Sequence, residues 1–296
     1  MLTRRTLIKG ALTAAAGLLA LVAYPFVEVM AQQRITRHAL RPNGWTPGLK
    51  LRIVALADVH ACNPWMTIDR IRQICATANG LDADIILLLG DYVAATDMVT
   101  DHVAPAEWAS ALATLKAPLG VHAILGNHDY WHDDTFQQYP QGPSLAHEAL
   151  KSVGIATYVN QAARLEKDGK PFWLAGLGDQ MALRGRRLAG LDDLPKTVSQ
   201  ITDTAPAILM AHEPDIFTQM DDASKNIGLV LSGHTHGGQI NIFGWRPVAA
   251  SAGSRRYPAG HYREFGRDLI VSRGLGCSVL PIRIGSRPEI NVIELG

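Results

Sequence analysis

The chain reads as an α/β layered domain behind an N-terminal apolar segment. Nearly unbroken apolar runs such as Ile85-Ile86-Leu87-Leu88-Leu89 are what a strand covered on both faces looks like. Between these runs lie stretches whose apolar residues recur at helical spacing. Of 296 residues, 47% are apolar and only 19% are charged, so the chain can bury a full core and is not a disordered one. Twenty-eight basic against 27 acidic residues give a net charge of +1, which removes the bulk electrostatic case for a nucleic-acid binder. Three cysteines cannot staple a chain of this length, so the fold stands on packing.

The first element is an address. Thr3-Arg4-Arg5-Thr6-Leu7-Ile8-Lys9 precedes an apolar run from Gly10 to about Val27. Paired arginines followed by Leu-Ile-Lys resemble the bacterial twin-arginine export signal. Val29-Met30-Ala31 offers a cleavage site, while Gly10–Met30 approaches the ~20 residues that span a bilayer, so cleaved signal and retained anchor both fit. A polar linker with Arg34, Arg37 and Arg41 is expected next, and those arginines can also meet anionic headgroups.

Leu51–Ala57 is the first predicted strand, Thr67–Asn79 a helix stopped by Gly80, and Ile85–Leu89 the second strand. A helix over Pro105–Lys116, a strand over Val121–Leu125 and a helix over Ser144–Val153 follow. Strands near Phe172–Ala175, Ala207–Ala211 and Ile227–Leu231 are separated by a helix around Thr197. Short strands at Gln239–Phe243, Leu269–Val271 and Ile290–Glu294 suggest that the second half turns antiparallel.

Polar residues fall where these strands end. Asp58-Val59-His60 closes the first strand, Gly90-Asp91 the second and Gly126-Asn127-His128-Asp129 the third. His212 follows Ile208–Ala211, and Gly233-His234-Thr235-His236 follows Leu229–Leu231. In α/β sheets, ligands bind in the crevice outside the carboxyl ends of the strands. Five loops carrying Asp, Asn or His would converge there on a metal.

In this order the motifs resemble the signature of the calcineurin-like metallophosphoesterases, from about Lys50 to the C-terminus. A narrower likeness is to twin-arginine-exported bacterial phosphodiesterases of that family. It rests on Gly90-Asp91-Tyr92-Val93, Gly233–Gln239, Arg273-Gly274-Leu275-Gly276 and Arg287-Pro288-Glu289-Ile290. The resemblance implies a two-sheet β sandwich flanked by helices. It divides the chain into a signal or anchor (1–31), a linker (32–48) and the phosphoesterase domain (49–296).

It also implies a two-metal site. Asp58, His60, Asp91 and His236 would hold one cation, and Asp91, Asn127, His212 and His234 the other, with Asp91 bridging. A hydroxide between the metals would attack phosphorus, and His128, not a ligand, would assist the leaving group. Nitrogen and oxygen donors without thiolate suit Mn, Fe or Zn. The sequence departs from the wider family at Ala94, where an acid often stands, leaving Asp129 as a weak candidate to orient His128.

Cys62 reads as a small buried residue. His102, His122, His132, His147 and His261 match no ligand position and read as solvated or core residues. Arg273 is a candidate for binding a phosphate diester; Arg255-Arg256 reads as a solvated loop. The function expected is an exported phosphodiesterase acting on a small-molecule or phospholipid-like substrate, periplasmic or anchored outside the cytoplasmic membrane. Two alternatives stand beside it: a UDP-2,3-diacylglucosamine pyrophosphatase type of hydrolase from lipid A synthesis, and a metal-binding scaffold without turnover.

Overall fold

The computed structural model describes residues 3–185 and 189–296. Helix α1 (Arg4–Val29) is a single 26-residue helix capped by Thr3, whose hydroxyl accepts the Thr6 N–H. It is long and apolar enough to cross a membrane, and its apolar stretch is wholly exposed.

The first sheet contains β1 (Arg34–Leu40), β2 (Leu51–Leu56), β4 (Ile85–Leu89), β6 (Val121–Ile124), β7 (Ala156–Thr157) and β14 (Glu289–Leu295). Cys62–Asn63 and Asp101–His102 form a small separate ribbon, β3 with β5. The second sheet contains β8 (Gln161–Lys167), β9 (Lys170–Gly176), β10 (Ala207–Met210), β11 (Ile227–Ser232), β12 (Gly260–Glu264) and β13 (Arg267–Val271). Strand orders are β1-β14-β2-β4-β6-β7 and β12-β13-β11-β10-β9-β8.

The near-continuous apolar strands are divided residue by residue between two cores. Ile53 and Ala55 of β2 join Leu87, Phe172, Met210 and Leu229 between the sheets. Val54 and Leu56 turn the other way, onto Ile71 and Ile74 of α2 (Ile68–Asn79) and Trp108 of α3 (Pro105–Leu112). Leu209 and Val230 face the outer layer over the second sheet with Phe217 and Tyr257. Both faces of both sheets are therefore covered, which is why period-two alternation is missing from the sequence.

Three expectations are corrected. The stretch 32–48 is not all linker: Arg34–Leu40 is an edge strand paired in parallel with β14, from Arg34↔Glu289 to Leu40↔Leu295. Four of its seven residues, Arg34, Thr36, Arg37 and His38, are polar, and the half-buried pattern of an edge strand is weak in sequence. The second sheet is parallel through β9, β10, β11 and β13, with only the edge strands β8 and β12 antiparallel. Gln239–Phe243 forms no strand and makes only isolated bridges, Ile240↔Ile284 and Ile242↔Trp245.

Candidate metal centre

All the motif residues lie just past strand ends, on one rim shared by both sheets. The first sheet delivers Asp58 and His60 after β2, Asp91 after β4, and Asn127 and His128 after β6, at the start of α4 (Asn127–Trp131). From the second sheet come His212 after β10 and His234 and His236 after β11. None of the seven expected ligands is more than 6% exposed.

Their polar atoms converge. The Asp91 Oδ2 lies 3.5 Å from His60 Nε2 and 3.2 Å from His212 Nε2, so it stands between the two groups. His60 Nε2 is 3.1 Å from His236 Nε2, which is 3.7 Å from Asp58 Oδ1. On the other side, Asn127 Oδ1 is 3.0 Å from His234 Nδ1. The Nδ1 atoms of His60 and His212 donate to the carbonyls of Val93 (2.8 Å) and Leu89 (2.7 Å). With Nδ1 committed to a carbonyl, each ring turns Nε2 toward the cluster, the atom that would face a cation.

The backbone is bent to achieve this. Asp58, His60, Asp91, His234 and His236 all have left-handed φ, between 48° and 67°. Each such residue costs about 1 kcal/mol or more. Five together cost roughly 5 kcal/mol, comparable to a small domain's whole net stability. Such strain persists only where surrounding contacts dictate it. Much of that restraint comes from Asp129, whose carboxylate accepts the N–H groups of Gly126 (2.9 Å), Asp91 (2.8 Å), Tyr92 (2.8 Å) and Val93 (3.2 Å). Gly126 has no room for a side chain: a Cβ there would run into Asp91 Oδ1 and the His212 ring.

The donor set fits divalent cations. Buried Asp58 Oδ2, His212 Nε2 and His234 Nε2 have no hydrogen-bond partner. Burial pushes the Asp58 carboxyl up to about 7, with the Asp91 charge adding to the rise and His212 opposing it. Burial also acts to raise Asp91, but His212, His128 and His60 outweigh it and hold Asp91 well below the usual carboxylate range. A bound cation would complete what His212 alone does incompletely for Asp58. Sets of oxygen and nitrogen donors, Asp58–His60–His236 and Asp58–Asp91–His212, are close enough to share ions, and His212–Glu213–His234 form a third group.

Several residues occupy places that sequence reasoning did not assign. Asp129 is committed to backbone amides, and what meets His128 instead is His132, whose Nε2 is 3.3 Å from His128 Nδ1 with the rings stacked. The two lie one helical turn apart, a spacing visible in the sequence once α4 is known. Arg273, a candidate for binding a diester, is paired with buried Glu289 at 2.8 Å. Fully buried Arg283 sits with Nη2 3.2 Å from His236 Nδ1. Glu213 and Asp179 are both 1% exposed behind His212, and each keeps one unpartnered oxygen. Burial and the Glu213 charge raise the Asp179 carboxyl well above its ordinary value. A larger cleft of about 730 Å³ lies around Leu51 and Leu295, at the opposite end of β2, and holds none of these residues.

Two covered sheets ending in a buried histidine–carboxylate rim define a phosphoesterase-type hydrolase. Residues 51–238 match the calcineurin-like phosphoesterase family, and the chain belongs to it. It is 31% identical over 296 residues to the uncharacterized metallophosphoesterase YkuE of Bacillus subtilis, covering 98% of this chain and 93% of that one. It is 33% identical over 248 residues to the phosphodiesterase YaeI of Escherichia coli, covering 82% of each chain. Over 250 residues it is 32% identical to a transmembrane protein with metallophosphoesterase domain from Danio rerio; that match takes in 83% of this chain and about half (53%) of the fish protein.

Proposed function

We propose that the chain is a two-metal phosphodiesterase working outside the cytoplasmic membrane. The observation that carries this is the position of Asp91 Oδ2 between His60 and His212, one carboxylate oxygen facing both ligand groups. Asp58, His60, Asp91 and His236 would hold one cation, and Asp91, Asn127, His212 and His234 the other. The donors suit Mn, Fe or Zn. When bound, the pair would supply positive charge to the phosphoryl oxygens and activate water for attack.

The chain's own residues do the rest. Asp91 supplies the negative charge that lets two cations sit side by side, and its Oδ1 accepts the His128 N–H (2.9 Å), tying that histidine's backbone to the bridge. His128 is part-exposed at the rim, where its ring can meet the leaving-group oxygen and hand it a proton. His132, in contact with His128 Nδ1, orients that ring in place of the acid missing at Ala94. A diester is favoured over a monoester by the likeness to the E. coli phosphodiesterase.

The reading is tested with purified protein and bis(4-nitrophenyl) phosphate. Turnover that needs added Mn²⁺ and disappears with chelator is expected, and metal-independent turnover or none at all overturns it.

For location, Arg4, Arg5 and Lys9 precede the apolar stretch of α1 and no Lys or Arg follows until Arg34, the charge asymmetry of a segment with its N-terminus inside. We assign α1 to twin-arginine export. Replacing Arg4 and Arg5 together with lysine should leave the protein in the cytoplasmic fraction; normal export of that variant rules the route out.

A further inference from the structure

The end of α1 is docked almost onto the metal centre. The Pro25 carbonyl accepts the Arg283 N–H (2.9 Å), and the Glu28 carboxylate accepts the N–H groups of Gly285 and Ser286 (2.9 Å each). Ser286 in turn donates its hydroxyl to the His236 carbonyl (2.6 Å), and Arg283 reaches the His236 ring. One residue therefore separates the apolar helix from an expected metal ligand. Wherever α1 meets a bilayer surface, the site opens close to it.

The surface beside this junction is unusual. Outside α1 and its cap, ten large hydrophobic side chains are markedly exposed among the described residues. Six of the ten are Ile242, Phe243, Trp245, Val248, Val279 and Leu280, from two neighbouring loops. Phe243 is fully exposed and Val279 is 72% exposed, and both have left-handed backbone, φ 50° and 63°. A β-branched residue in that conformation is a true outlier. The loops are stapled together by the Gln239 amide, which donates to the carbonyls of Ser278 (2.9 Å) and Leu280 (3.0 Å) and accepts the Ser278 N–H (2.8 Å). Between them lies an apolar cavity of about 250 Å³, walled by Ile240, Val248, Val279, Leu280 and Ile282, with His234 and His236 in its lining. Apolar walls thus run from the outer surface to two expected metal ligands.

We propose that these loops form a collar that rests in the outer surface of the bilayer, and that the cavity takes the apolar tail of the substrate. The substrate class is then a phosphodiester of a membrane amphiphile, cleaved at the membrane surface. This rests on the phosphodiesterase reading and adds to it the source of the diester. The occupant is a lipid tail and not a protein because the collar is continuous with a helix of membrane-spanning length and composition.

Two esters with the same leaving group test the proposal: hexadecyl 4-nitrophenyl phosphate in phosphatidylcholine–phosphatidylglycerol vesicles, and methyl 4-nitrophenyl phosphate in solution. The full chain, reconstituted in those vesicles, should prefer the hexadecyl ester by about 30-fold or more in kcat/KM. Phe243→Glu with Trp245→Glu should cut the preference to about threefold while the methyl-ester rate stays unchanged, since both side chains are exposed and neither lines the cavity. Should the double variant lose both rates, Ile242→Glu alone, also exposed and outside the cavity lining, decides by the same criterion. A wild type that treats the two esters alike, or collar variants that keep the full preference, overturns the proposal. Turnover of neither ester by metal-loaded wild type overturns the phosphodiesterase reading itself.

Discussion

The two sheets contribute unequally to the rim they share. On the first-sheet side nearly every buried polar atom is paired: Asp129 clasps four amides, His60 donates to Val93, and among the described residues Asp58 Oδ2 and, in the helix layer behind it, Trp108 Nε1 lack a partner. On the second-sheet side six buried atoms have none, namely Asp179 Oδ2, Gln180 Oε1, His212 Nε2, Glu213 Oε1, Ser232 Oγ and His234 Nε2. A buried polar atom without a partner costs about 1–3 kcal/mol. The first-sheet half is thus a finished scaffold that presents Asp91, the carboxylate proposed to bridge. The second-sheet half is built to be completed by something bound, and metal binding should tighten it most.

The sharpest way to break this division is Asp91→Asn, which strikes the group where the halves meet. Without the bridging charge two cations repel, so bound metal should fall and activity should drop more than about 10⁴-fold. Elemental analysis beside turnover checks both; a variant that keeps two metals per chain contradicts the assigned bridge.

His128 belongs to the finished half; its ring packs edge-on against His60, with centroids 5.2 Å apart, but it is not itself an expected ligand. His128→Ala should keep its metals and lose about 10²–10⁴-fold in turnover. The loss should be larger for an alkyl diester than for a nitrophenyl one, whose leaving group needs no proton. His132→Ala should lower kcat about tenfold, leave KM alone, and do nothing further in a His128→Ala background. An additive loss would mean that His132 acts on substrate directly and not through His128.

The same contrast explains what could be read from sequence. The convergence of Asp58, His60, Asp91, Asn127, His212, His234 and His236 was legible because each sits in a short motif at the end of an apolar strand, and strand ends converge. Local spacing carried no trace of the pairing of Asp179 with Glu213, which comes from β9 and β10 lying side by side across 34 residues. Edge strand β1 was hidden because an edge strand buries one face only partly. The apolar collar was missed because its residues follow no period at all; Gln239–Phe243 is apolar enough for a strand but is held by a side-chain staple instead. His132 was set aside as a solvated or core histidine since nothing in a lone His announces a helix turn's contact with His128.

The smallest effect tests the unfinished half by itself. Burial and the neighbouring Glu213 hold the Asp179 carboxyl well above its ordinary value, so in the folded chain it keeps a proton that the unfolded chain releases. Where the folded state binds more protons than the unfolded one, stability falls as pH rises. The loss begins near the ordinary carboxyl range and continues upward toward the raised value. In Asp179→Asn the amide keeps the acceptor for the Met181 N–H (2.8 Å) and gains a donor toward Glu213 Oε1, without any titration. In chelator, so that no cation answers for the pair, the variant should melt above wild type at pH 8 by roughly 2–4 °C. The gap should close toward pH 4, where wild type carries the same hydrogen. A gap that is constant with pH would mean that the pair's oxygens are satisfied by water, and that the second-sheet half is as complete as the first.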